Sequence, residues 1–79
     1  MAHISHKLSY QGGASVRIIE PNDEKTFKTA YRIGDKSADL TEDAALQIYN
    51  RDGNLIDRTT ARELHRQPLL LETLSFRRV

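Results

Sequence analysis

The sequence has no cysteine and no tryptophan, only two prolines and one methionine. Without cysteine there are no disulfide scaffolds, zinc ribbons, thiol nucleophiles or iron–sulfur sites. Small secreted domains usually depend on disulfides, so a cytoplasmic location is the expectation. No apolar run approaches the ~18 residues of a membrane span, so no membrane partner is expected. Residues Met1 to His6 lack the basic segment and apolar stretch of a signal peptide. Charge of one sign is also missing. Lys and Arg number 12 and Asp and Glu 11, for a formal net charge of +1. That balance is neither the strongly basic one of non-specific DNA binding nor a disorder signature.

What is present is the material for one small domain. At 79 residues there is room for a single core, so residues 1–79 are read as one domain. Residues 3–10 alternate, with Ile4, His6, Leu8 and Tyr10 on one side and His3, Ser5, Lys7 and Ser9 on the other. Period two marks a half-buried strand. Gln11-Gly12-Gly13 supplies a tight turn, and Ala14 to Glu20, with Val16, Ile18 and Ile19, reads as a second strand. After the turn at Pro21, alternation resumes from Lys25, with Phe27, Thr29, Tyr31 and Ile33 on one face. The first 33 residues thus read as a three-stranded antiparallel meander.

Helix signals follow. Asp39 precedes Glu42 at capping-box spacing, Thr41 is a competing N-cap, and Ala44, Ala45, Ile48 and Tyr49 share a helical side. These features predict a helix over 41–51. The same stretch also fits a hairpin, because Asp52-Gly53 is a strong turn signal. Thr60-Ala61-Arg62-Glu63 is a full capping box and predicts a short helix from Ala61 to Arg66, stopped by Pro68. Leu69 to Phe76 reads as a final strand, or as a helix opening at Pro68. The expected fold is α+β: a small antiparallel sheet, formed by the N-terminal meander and a C-terminal strand, with two short helices packed on one face in the order β-β-β-α-α-β.

Chemistry-bearing patterns are sparse. On a regular strand, His3 and His6 point to opposite faces, and His65 lies far away in sequence, so no metal site is expected. Asn50 to Asn54 fails as a calcium loop: with Gly53 at position six, Ile48 and Thr59 would occupy the carboxylate positions one and twelve. No serine sits in a nucleophile elbow, no glycine-rich phosphate loop is present, and adjacent Glu42 and Asp43 do not form an acid–base dyad. No enzyme and no cofactor are expected.

The strongest candidates are basic. Arg58, Arg62 and Arg66 recur every four residues, and a helix would present them on one line; Arg77 and Arg78 could extend the patch. Like charges at that spacing are not what helix stability alone would choose. These arginines are the candidate surface for phosphates or for a partner's carboxylates. Asp35, Asp39, Glu42 and Asp43 form an acidic stretch that could dock on a basic partner surface, although helix capping suffices to explain it. A free sheet edge offers strand pairing, either into a homodimer or with a larger protein. The sequence is therefore read as a non-catalytic interaction module for a protein or nucleoprotein partner. Adaptors, antitoxin-like inhibitors and phage-encoded or mobile-element-encoded blockers are of this type. The alternative is a nucleic-acid binder using the C-terminal arginines.

Overall fold

The computed structural model describes residues 3–21, 27–71 and 76–78. They form β1 (His3–Ser9), β2 (Ser15–Glu20), β3 (Thr29–Ile33), β4 (Lys36–Leu40), β5 (Ala45–Tyr49), β6 (Leu55–Thr60), a 3-10 turn (Ala61–His65), β7 (Leu69–Leu71) and β8 (Phe76–Arg78). A four-stranded sheet has the order β1-β2-β5-β6, and β3-β4 and β7-β8 are two-stranded. All pairings are antiparallel. The expected α+β fold is thereby overturned: among the described residues the protein is β-structure with a single 3-10 turn.

The meander ends after two strands. β1 and β2 join through a turn in which the Gly13 amide donates to the Tyr10 carbonyl at 2.9 Å and Gly13 takes φ of 96°. β2 then pairs with β5, from Ser15 opposite Tyr49 to Ile19 opposite Ala45. β3 folds back on β4 instead, through Gly34 at φ of 67°. β3 begins at Thr29, with Phe27 and Lys28 outside it, and the expected start at Lys25 lies outside the described residues. Tyr31 and Ile33 are buried, whereas Phe27, expected on the same face, is 84% exposed.

The helix expected over 41–51 is a strand and a turn. Leu46 and Ile48 are fully buried while Ala45, Gln47 and Tyr49 are half-buried, which is period two and not 3.6. Asn50 Oδ1 accepts hydrogen bonds from the amides of Asp52 and Asn54, both at 3.0 Å, and Gly53 takes φ of 83°. A cap contributes about 1 kcal/mol. Burying two large aliphatic side chains against β2 contributes about 1.5–3 kcal/mol each, so packing wins.

The second helix shrinks to the 3-10 turn. Thr60 makes no side-chain cap bond. The amides of Ala61 and Arg62 donate instead to the carbonyls of Ala44 (3.0 Å) and Glu42 (3.1 Å), so the β4–β5 connection satisfies the donors a cap would have taken. The expected final strand is also different: β7 and β8 pair as a short hairpin, and residues 72–75 lie outside the described set.

The core lies between the inner face of the four-stranded sheet and the β3-β4 hairpin. Val16, Ile18, Leu46 and Ile48 meet Tyr31, Ile33 and Leu40, with Leu64, Leu69 and Leu71 completing it. No helix among the described residues is long and apolar enough to cross a membrane.

Candidate binding face

With Val16, Ile18, Leu46 and Ile48 turned inward, the intervening residues of β2 and β5 must face out. Strand register assembles them into rows across the sheet. One row runs Lys7, Arg17, Gln47, Arg58. A second runs Ser9, Ser15, Tyr49, Leu55, and a third Ile4, Ile19, Ala45, Thr60.

Ile4 belongs here because of a bulge. The β1–β2 register shifts between Ile4 and His6, so Ile4 aligns with Ile19 rather than sharing the inward side with His6 and Leu8. The same bulge sets His3 opposite Glu20 and His6 opposite Ile18, both on the inward side, where regular alternation would have separated them. No group of three His, Cys, Asp or Glu side chains among the described residues has metal-holding geometry.

The outer face is basic. The acids within these four strands are Glu20 and Asp57; Glu20 follows the inward alternation of β2, and Asp57 lies opposite inward Ile48. Among the described residues, no ion pair holds Lys7 or Arg17. They are register partners across β1 and β2, and like charges at directly opposite positions do not stabilise a strand pair. The Arg17 guanidinium lies 5.0 Å from the centroid of the Tyr49 ring. The Tyr49 hydroxyl donates to Gln47 Oε1 at 3.0 Å.

The arginines singled out from the sequence are dispersed. Arg58 lies in β6 on the outer face, so it shares no helical line with Arg62 and Arg66. Arg62, in the 3-10 turn, is held by Asp43 at 2.6 Å and Glu42 at 3.3 Å. That contact also accounts for part of the acidic stretch, which pairs with an arginine instead of capping a helix. Arg66 is exposed at the end of the turn, its amide donating to the Glu63 carbonyl at 3.0 Å. Arg77 and Arg78 lie in β8 opposite Leu70 and Leu69, and their side chains lie outside the described part of the structure. Lys7, Arg17 and Tyr49 were missed. Arg17 alternates visibly with buried Val16 and Ile18, but only the β2–β5 pairing sets it beside Tyr49.

No protein-family model, curated protein or solved structure matches this chain. Function must then be read from local chemistry.

Two polar groups inside the molecule belong to its architecture. Glu20 is 1% exposed, and its carboxylate accepts from Thr41, at 3.3 Å from the amide to each oxygen and 3.0 Å from the hydroxyl. Lys28 Nζ stands 3.6 Å away. These bonds fasten the end of β2 to the start of the β4–β5 connection. The Tyr10 hydroxyl donates to the Ile33 carbonyl, tying the β1–β2 turn to the β3–β4 turn. Burial first, and then the nearby charge of Asp35, push the Tyr10 phenol above its ordinary value.

Proposed function

We propose that this protein is a non-catalytic binding module that presents the outer face of its four-stranded sheet to an anionic partner. The observation that supports this most is the acid-free row of Lys7, Arg17 and Arg58 across four adjacent strands. The row carries no carboxylate of its own, and a partner's negative charge would pair with its cations. Arg58 is the member of the sequence-derived patch that joins this face. A cytoplasmic setting is part of the proposal and fits a chain without cysteine.

The test is fluorescence or calorimetric binding to a panel of polyanions: heparin, polyglutamate and nucleic acid oligonucleotides. Binding should weaken as salt rises from about 50 to 200 mM. Lys7→Ala, Arg17→Ala and Arg58→Ala should each reduce the slope of log affinity against log salt by about one where the partner is a phosphate polymer. Arg62→Ala, whose guanidinium is already engaged by Asp43 and Glu42, should leave it unchanged. Absence of binding to every member of the panel at low salt would overturn the proposal.

A further inference from the structure

We infer that the anionic partner is a single-stranded nucleic acid whose bases stack on Tyr49 while its phosphates follow the basic row. This rests on the binding face proposed above and deepens it. Tyr49 is half-buried in β5, with Ser15 and then Ser9 beside it across the sheet. The ring is braced by its own hydroxyl on Gln47, and the Arg17 guanidinium lies over it, so ring and guanidinium together form one stacked platform. Aromatic rings and arginine planes are the platforms on which unpaired bases stack. With Arg17 engaged on the ring, Lys7 and Arg58 remain in a row two residues along the strand, about 7 Å from the Tyr49 row at ~3.4 Å per residue. A sugar separates a base from its phosphate, and that offset accommodates it.

Duplexes fit the face poorly. Strands lie about 4.8 Å apart, so the outer strands of this sheet are separated by about 14 Å. The major groove is about 12 Å wide and admits a helix or a two-stranded ribbon. A four-stranded face instead suits a flexible strand laid across it. An acidic protein would use the cations but have no need of the ring.

The experiment uses the full chain with a labelled single-stranded oligonucleotide. The comparisons are its duplex, an abasic strand of equal charge, and heparin. The base-bearing single strand should bind about tenfold more tightly than the abasic strand or the duplex. Tyr49→Leu should lose about tenfold for the single strand and little for heparin, and Tyr49→Phe should restore most of the affinity. Equal binding of base-bearing and abasic strands, or preference for the duplex, overturns this inference while leaving the polyanion surface standing. The abasic comparison needs no variant, so it decides even where Tyr49→Leu does not fold. Failure of every ligand to bind overturns both readings.

Discussion

At the scale of single residues, the consequential side chains are polar ones inside an apolar core. Tyr10 joins two turns through one hydrogen bond to Ile33. Removing a buried hydrogen-bond partner costs about 1–3 kcal/mol. Tyr10→Phe should therefore lower the unfolding free energy measured by urea titration at neutral pH by an amount in that range. The phenol also sets an alkaline limit. Its folded value lies above the unfolded one near 10, so folding favours the protonated form. Stability from this group is fully present below about pH 10 and is lost as pH rises beyond it. Urea unfolding at a series of pH values should show that decline in the wild type, and Tyr10→Phe should lack its contribution. A Tyr10→Phe protein as stable as wild type would show that the bond to Ile33 contributes nothing net.

At the scale of elements, turns were more legible than the segments they join. Gly13 and Gly53 could be recognised as turn residues, and both take positive φ. They should nevertheless differ in tolerance. A Cβ at Gly53 meets nothing within 4 Å, so Gly53→Ala bears only the left-handed backbone cost of about 1–2 kcal/mol. A Cβ at Gly13 would stand 2.6 Å from Arg51 Cβ, adding a collision to the same strain. Thermal unfolding should rank Gly13→Ala below Gly53→Ala, and the reverse order would contradict the contact between these two turns. The segments were harder. Alternation in β1 and β2 could be read directly, although the bulge that turns Ile4 outward left no local mark. The stretch around Leu46 carried helix-capping signals and a hairpin signal together. Local propensity could not choose between them, because β2 decides the outcome by covering Leu46 and Ile48. The capping box at Thr60 failed for a related reason: carbonyls of Ala44 and Glu42 satisfied the amides first. Those partners lie far back along the chain, beyond the reach of a motif.

Across the whole molecule, a net charge of +1 conceals an uneven distribution. Acids at Glu42 and Asp43 engage Arg62 beside the 3-10 turn, while the outer positions of the large sheet carry Lys7, Arg17 and Arg58. Sequence reasoning sought a basic surface around one short helix, with Arg58 just before its cap and Arg62 and Arg66 within it. The structure composes its surface from four strands, so only Arg58 was legible and Lys7, Arg17 and Tyr49 became neighbours through pairing. The face is what a partner would meet, and its position can be mapped residue by residue. The most direct measurement is a titration of isotope-labelled protein with a single-stranded oligonucleotide, followed by amide chemical shifts. The account predicts that Lys7, Arg17, Gln47, Tyr49 and Arg58 shift together and move back as salt is raised. Shifts gathered instead around Arg62 and Arg66, with the outer sheet unperturbed, would contradict it.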